Sequence, residues 1–170
     1  AQKNRALEYA NQPWVLSLDA DEVISEQLCQ SIKAALSAAP DVDGFWMERH
    51  NLWLGHPVQG GSFGPSWHLR LARKDKAQWT GMDTHDKMTV RGKTKQLTGA
   101  LQHNSYRSFA EHLQTIDKYT ARFVVVANES GIEARIVDVL LRPPWHLFRS
   151  LALQHGWRDG VAGLMLAWLG

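Results

Sequence analysis

The stretch Trp14–Ser25 constrains the fold of this chain more than any other. Its first half, Val15–Leu18, is an apolar run of the length that forms a buried strand, and it stops at two carboxylates, Asp19 and Asp21. In open α/β sheets, ligands bind beyond the carboxyl ends of the strands, and side chains two apart on an extended chain point the same way. Two hard oxygen donors placed there suit Mg²⁺ or Mn²⁺ held together with substrate phosphates.

An isolated Asp-x-Asp is common by chance and is more often part of a solvated turn than of a binding site. Here a helix start follows the acids, because Ser25 is a suitable N-cap. The buried stripe of that helix is predicted at Leu28, Ile32 and Leu36. A second helix is predicted to begin at the capping box Ser108–Glu111, to run to about Asn128 and to end at Gly131.

The strand signals are weaker than the helix signals. We predict strands over 44–50 and 67–73, with a glycine-rich loop over 51–66 between them. A short hairpin is expected around 90–92 and 97–101.

Composition sets broad limits on the class of protein. At 170 residues, the chain is long enough for one domain with a substantial core. The net charge of +2 is too small for a nucleic-acid-binding protein, so no nucleic-acid partner is expected. No apolar run approaches the roughly 18–20 residues needed to span a bilayer. Because Ala1 already lies in a helical pattern, we expect the chain to be a piece of a longer protein.

The C-terminal segment is both apolar and basic. A helix is predicted over Trp145–Gln154, with Pro144 in its first turn, and a second apolar piece over Gly160–Leu169. Basic residues beside Trp, Phe and Leu suit interfacial helices attracted to an anionic membrane surface. The alternative is that these helices pack on the core. We predict that residues 131–170 form amphipathic helices on a membrane surface.

Several stretches together resemble family 2 glycosyltransferases, in particular lipopolysaccharide-core enzymes similar to heptose-modifying β-1,4-glucosyltransferases. The matching stretches are Gln2–Leu7, Trp14–Glu22, Gly44 with Phe45, Leu69–Leu71, Thr84–Asp86, His103–Tyr106, and Tyr119 with Ala121. There are two departures. The chain has Pro65-Ser66 where the family often has Pro-Asp, and His85-Asp86 where it usually has His-Glu.

The resemblance implies an α/β protein of the GT-A fold, the fold of nucleotide-diphospho-sugar transferases. This chain would be its C-terminal portion. Residues 1–130 would form the truncated catalytic portion, and the nucleotide-binding half would lie before Ala1.

Transfer of a sugar from a nucleotide diphosphate releases a diphosphate, whose charge a divalent ion must offset. Asp21 would ligate that metal, and Asp19 would position the ribose or a metal-bound water. His103 is a further candidate ligand, although a lone histidine is more often structural. Arg70 and Arg73 either neutralise donor phosphates or form the exposed face of a strand.

An inverting transfer also needs a base that deprotonates the acceptor hydroxyl. Asp86 is the candidate, with a solvated loop acid as an equally compatible interpretation. Trp67 and Trp79 are candidates for stacking on a sugar ring, although core packing is the commoner use of tryptophan.

The expected donor is a nucleotide sugar, specifically a UDP-sugar. The expected acceptor is a lipid-linked saccharide of lipopolysaccharide core or a similar cell-envelope glycan.

The expected location is cytoplasmic, peripheral on the inner face of the cytoplasmic membrane.

Two other classes of function stay open. Val15–Val23 also fits the motif of haloacid-dehalogenase-like phosphatases, with Asp19 as nucleophile and Asp21 as general acid. That fold needs a second acidic pair after an apolar run, and no such run precedes the candidate pair Asp83 and Asp86. The other alternative is a non-catalytic module that binds carbohydrate or membrane.

Overall fold

The computed structural model describes residues 2–38, 41–80, 86–133 and 135–169. The chain forms two compact units, one of residues 1–49 and 66–103 and the other of residues 50–65 and 104–170. Both units combine strands with helices, so the predicted mixed α/β class is confirmed.

The helices are α1 (Gln2–Tyr9), α2 (Glu26–Ser37), α3 (Phe109–Glu129), α4 (Ile136–Phe148) and α5 (Gly160–Leu169). The strands are β1 (Trp14–Leu16), β2 (Glu22–Ile24), β3 (Gly44–Trp53), β4 (His56–Pro57), β5 (Ser66–Arg73), β6 (Ala77–Thr80), β7 (Lys87–Val90) and β8 (Thr94–Tyr106). Short turns of 3₁₀ helix lie at Gly61–Phe63 and Gly156–Asp159, and a π-helical turn lies at Arg149–Leu153.

The main sheet has the strand order β1-β5-β3-β8-β2, and β4 pairs with the end of β3. β1 is antiparallel to β5 and β2 is antiparallel to β8, unlike the mostly parallel strands of the open α/β sheets whose ligand sites lie beyond the strand ends. The predicted buried run at 15–18 is also shorter, because β1 ends at Leu16 and Leu18 is 39% exposed. A three-residue strand at the end of the strand order is covered less completely than a central parallel strand would be.

The predicted hairpin between 90 and 97 is wrong. β7 pairs with β6 in a separate two-stranded sheet, where Trp79 lies opposite Met88 and both are buried. β8 instead lies between β3 and β2 and contributes Leu97 and Leu101 to a different core cluster. Cross-strand packing of the two apolar side chains therefore selects β6 as the partner of β7.

One core cluster of the first unit packs against α2. The Ser25 hydroxyl accepts from the Leu28 N–H at 3.2 Å, which confirms the predicted N-cap. Leu28 is fully buried, while Ile32 and Leu36 pack against the same cluster, as the stripe predicted. The helix approaches β8 closely at Gly99, where a Cβ would lie 2.4 Å from the Leu28 nitrogen.

The second unit contains α3 with its predicted cap. The Ser108 hydroxyl accepts from the Glu111 N–H at 3.1 Å. The Glu111 carboxylate reaches one residue further back than a standard capping box, because it accepts from the Arg107 N–H at 2.8 Å. Gly131 ends the helix region at φ +66°, in the left-handed region that glycine adopts readily.

The C-terminal helices differ from their prediction. α4 begins at Ile136, so Pro143 and Pro144 lie inside it instead of opening a helix at Trp145. α5 packs into a core cluster with Trp53 and Val58 through Leu166, which supports core packing for this helix. Seven apolar side chains of α4 are more than half exposed: Ile136, Val137, Val139, Leu140, Leu141, Trp145 and Phe148. None of the helices in the described parts of the chain has an apolar stretch of the length that spans a bilayer.

Candidate functional site

The acidic motif forms a closed turn between β1 and β2. The Glu22 N–H donates to the Asp19 carbonyl at 3.0 Å, and the Glu22 carboxylate accepts from the Asp19 N–H at 3.0 Å. The backbone at Ala20 and Asp21 turns instead of running extended. The strand periodicity predicts that the side chains of Asp19 and Asp21 point the same way. The turn contradicts this prediction, and the two side chains have different partners.

Asp19 and Glu22 share one guanidinium. Arg70 donates to Asp19 Oδ2 at 2.7 Å and also to Glu22 Oε1. Arg49 lies nearby, with its Nη1 at 3.9 Å from Glu22 Oε1. The Glu22 side chain is fully buried and that of Arg70 is 6% exposed, so the motif rests on a buried ion cluster.

A β-bulge explains how Arg70 reaches the acids. Phe45 is opposite Leu71 and Trp46 is opposite Leu69, which leaves Arg70 as the extra residue of β5. Its carbonyl accepts from the Ser17 N–H at 2.8 Å, just after β1. Bulges of this kind turn a side chain away from regular alternation and are frequent next to active sites.

The charges around Asp19 hold it ionised. Its partial burial would raise the pKa of the carboxyl, but the charge and hydrogen bond of Arg70, with those of Lys3, outweigh burial and lower the pKa below its ordinary value. Lys3 Nζ lies 3.3 Å from Asp19 Oδ1. The ionised Asp19 side chain is therefore paired with a positive charge at each oxygen, and these contacts hold the turn in place.

Asp21 is the more accessible carboxylate of the motif. Its side chain is 46% exposed, and its Oδ2 lies 3.1 Å from His103 Nε2. The pairing of Glu22 with His103 between β2 and β8 sets this contact. Residues 2–38, 41–80, 86–133 and 135–169 contain no group of three or more His, Cys, Asp or Glu side chains arranged to hold a metal ion. The Asp21 carboxylate by itself fits Mg²⁺ or Mn²⁺, which take most of their ligands from substrate phosphates and water, whereas the His103 imidazole is a softer ligand.

Asp86 lines a cavity of about 550 Å³ in the first unit. The other lining residues are Trp46, Arg49, Ser66, Trp67, His68, Leu69, Arg70, Trp79, Lys87, Met88 and Thr89. The structure therefore brings Asp86 to the same cavity as Arg70, which binds Asp19. Three residues named in the sequence analysis lie outside the described residues. They are Thr84 and His85, from the stretch Thr84–Asp86 that resembles glycosyltransferases, and Asp83, from the phosphatase alternative.

The remaining candidates divide between the site and the scaffold. Arg73 lies 3.4 Å from Asp75 and lines a different surface cavity with residues 10–13, so it is not brought to the acidic motif. Trp79 is 6% exposed and packs in the core, whereas Trp67 is 40% exposed. Arg70 is not an exposed strand residue, because it is buried beside two carboxylates, and its contact with donor phosphates stays a prediction.

Sequence reasoning missed Glu22, Arg49 and His68. Glu22 was visible as the acid directly after the Asp-x-Asp motif, but nothing in the sequence indicated that it is buried. Arg49 follows Met47 by two residues on β3 and gave no signal distinct from a solvated strand end.

Glu22 should be the most sensitive position for stability in this cluster. We expect Glu22→Ala to lower the free energy of unfolding by about 3 kcal/mol, the lower end of the cost of breaking a buried ion pair, because Arg70 and Arg49 lose their buried carboxylate while Arg70 keeps Asp19. Urea denaturation of the complete protein measures the change. Glu26→Ala, at an exposed acid in the first turn of α2, is the matched control and should cost less than about 1 kcal/mol. Equal losses in the two variants would contradict the role of the ion cluster.

His68 should make stability depend on pH. Burial, followed by the positive charges of Arg49 and Arg70, lowers the pKa of His68 to about 4. Above about pH 6.5, His68 is neutral in both the folded and the unfolded state. As the pH falls from there towards 4, only the unfolded state gains the proton, so the free energy of unfolding should decrease. His68→Asn should reduce this pH dependence in urea titrations. Parallel pH profiles of wild type and His68→Asn would contradict the prediction.

The chain matches no protein-family model. It is similar to the lipopolysaccharide core biosynthesis glycosyltransferase LpsC of Rhizobium meliloti strain 1021, at 26% identity over 171 residues. The alignment covers 99% of this chain and 63% of LpsC, so the chain spans less than two thirds of the length of that relative. This similarity supports a relationship to glycosyltransferases.

Proposed function

We propose that this chain belongs to a metal-dependent, inverting glycosyltransferase of family 2 with the GT-A fold. The donor is a nucleotide-diphosphate sugar, specifically a UDP-sugar, and the acceptor is a lipid-linked saccharide of lipopolysaccharide core or a similar cell-envelope glycan. One observation carries the proposal. In the acidic turn, Arg70 neutralises Asp19 and Glu22, while Asp21 stays accessible beside His103. The similarity to LpsC over nearly the whole chain supports the reaction class.

Asp21 and His103 are the residues that would hold Mg²⁺ or Mn²⁺. When bound, the ion offsets the charge that develops on the diphosphate leaving group. Asp19 contributes to the same site by fixing the turn, because its backbone N–H and carbonyl are both bonded to Glu22. Asp19 is also the candidate for positioning the ribose of the donor.

Asp86 is the proposed base. Its carboxylate accepts the proton of the acceptor hydroxyl as that oxygen attacks the anomeric carbon from the face opposite the diphosphate. A base must lie where the acceptor binds, and Asp86 lines a cavity large enough for a sugar ring. The division of the chain into a catalytic portion, residues 1–130, and membrane-surface helices, residues 131–170, stays a prediction.

The geometry favours a transferase over a haloacid-dehalogenase-like phosphatase. A nucleophilic aspartate attacks through an unpaired carboxylate oxygen, but both oxygens of Asp19 are paired, Oδ2 with Arg70 at 2.7 Å and Oδ1 with Lys3 at 3.3 Å. A phosphoenzyme trapped on Asp19 would reverse this preference. A purely carbohydrate-binding or membrane-binding module would bind without transferring a sugar.

The proposal is tested by transfer from nucleotide sugars. The complete protein that carries this chain is incubated with UDP-sugars and GDP-sugars and with truncated lipopolysaccharide as acceptor, and release of nucleoside diphosphate is measured. We expect release from one donor that depends on both acceptor and Mg²⁺ or Mn²⁺ and stops on adding EDTA. Binding of acceptor without turnover of any donor would contradict the proposed function.

We also propose that the enzyme is cytoplasmic and peripheral on the inner face of the cytoplasmic membrane. The support is α4, whose apolar side chains are exposed beside basic residues such as Arg142 and Arg149. An amphipathic segment of this kind binds anionic lipids through both its apolar surface and its charge.

Exchange of two α4 residues should weaken binding to membranes. We expect the double variant Leu140→Ser/Leu141→Ser to bind vesicles of phosphatidylglycerol and phosphatidylcholine at least about tenfold more weakly, because two exposed leucines no longer enter the lipid. Co-sedimentation measures binding, which should also fall with added salt. The control Leu18→Ser/Val23→Ser changes two exposed apolar residues of the first unit. If the α4 variant pellets as well as the control, α4 does not bind the membrane.

A further inference from the structure

The cavity that contains Asp86 is unusually rich in tryptophan. Three of the eight tryptophans of the chain, Trp46, Trp67 and Trp79, line it. Trp79 is 6% exposed and belongs to the core, where it packs with Leu69 and Met88. Trp67 is different, because 40% of its surface stays exposed.

The position of Trp67 on β5 accounts for this exposure. Trp67 and Leu69 are two residues apart on the same side of the β-bulge, so they share one face of the strand. Leu69 is covered by the core cluster, whereas Trp67 lies beyond it at the end of the strand, next to Ser66. An indole ring that is half accessible and borders a cavity offers a flat apolar surface to a ligand.

Polar side chains line the same cavity. Asp86 and Thr89 do so from the region of β7. Ser66 and His68 also line it, but as the strand neighbours of Trp67 they belong to the opposite face of β5, where Ser66 Oγ lies 3.0 Å from His68 Nε2. Saccharides need this combination, because the C–H face of a pyranose packs on an aromatic ring while its hydroxyls bond to polar side chains.

We propose that this cavity binds a saccharide ring of the acceptor, with Trp67 as its stacking platform. The inference rests on the proposed function, since Asp86 is the group that assigns the cavity to the acceptor instead of the donor. It adds a residue that positions the acceptor ring and so contributes to specificity. The cavity volume of about 550 Å³ accommodates a single ring with its substituents.

The test measures saccharide binding without donor. The probe is lipid-free core oligosaccharide, released from lipopolysaccharide by mild acid, titrated by calorimetry into the complete protein. We expect Trp67→Ala to weaken binding roughly tenfold and Trp67→Phe to restore most of the affinity, because phenylalanine keeps an aromatic face. Trp157→Ala is the matched control, since Trp157 is 62% exposed and lies outside the cavity.

Kinetics separate this inference from the proposed function. In Trp67→Ala, the KM for the acceptor should rise while the KM for the donor stays unchanged. Unchanged oligosaccharide affinity in Trp67→Ala, or no binding to the wild type, would overturn the inference even if the enzyme transfers sugar. Binding that depends on Trp67, in a protein that turns over no nucleotide sugar, would support the inference and overturn the proposed function.

Discussion

We expect Asp21→Asn to abolish sugar transfer by the complete protein while leaving its fold intact. The side chain is 46% exposed, so exchanging one carboxylate oxygen for an amide removes little packing. The amide is a weaker ligand for Mg²⁺ or Mn²⁺ and carries no charge, which removes the ligand proposed to face the diphosphate. Transfer rates at saturating metal, together with metal binding measured by calorimetry, give the result.

Two further variants define how specific this effect is. Asp41→Asn is the matched control, because Asp41 is an exposed acid that pairs with Lys95 at 3.1 Å and should tolerate the same exchange. Asp19→Asn should damage transfer similarly, with a larger loss of donor binding, because it also weakens the contact with Arg70 that fixes the turn. A near-wild-type rate for Asp21→Asn would exclude it as the metal ligand.

The sequence predicted features that depend on neighbouring residues alone. Ser25 and Ser108 both accept from the backbone N–H three residues further on, as the capping patterns indicate. The strands at 44–50 and 67–73 are present, although β3 continues to Trp53. A cap or a strand signal is read from a few consecutive residues, so no distant contact is needed to predict it.

Features that depend on distant pairing were predicted poorly. Simple alternation allows Arg70 to lie on the exposed face of a strand or to face donor phosphates, and neither alternative indicates that the bulge opposite Phe45 and Trp46 turns it into the buried ion cluster. Similarly, nothing local specifies that β7 pairs with β6 and not with β8. Such choices are made by packing across the sheet, which sequence periodicity does not record.

The acidic motif combines both kinds of feature. Its presence at the end of β1 follows from the sequence, but the separation of roles between Asp19 and Asp21 does not. That separation arises because Arg70 and Lys3 approach Asp19 from distant parts of the chain, while His103 approaches Asp21. A fold that needed only stability could replace Glu22 and Arg70 by apolar side chains at little cost. The buried cluster instead holds the turn that carries Asp21, because Glu22 bonds to Asp19 and to Arg70.

We expect Asp86→Asn to reduce turnover by about 10²–10⁴-fold, which is the usual contribution of a general base. Donor binding should stay nearly unchanged, because Asp86 lines the cavity assigned to the acceptor and not the turn that carries Asp21. Turnover is measured at saturating donor and acceptor, and donor affinity by equilibrium dialysis. The control is Asp75→Asn, whose exposed carboxylate is paired with Arg73 in the same unit.

The pattern of loss decides what Asp86 does. If turnover falls and donor affinity holds, the carboxylate acts on the acceptor, as a base for an inverting transfer must. An equal loss of donor affinity would assign Asp86 to the metal or nucleotide site, and the cavity shared with Arg70 would then belong to the donor. Unchanged turnover would make Asp86 a solvated acid without a role in the reaction. Because Trp67 lines the same cavity, the acceptor KM of Trp67→Ala and the turnover of Asp86→Asn test two sides of one binding site.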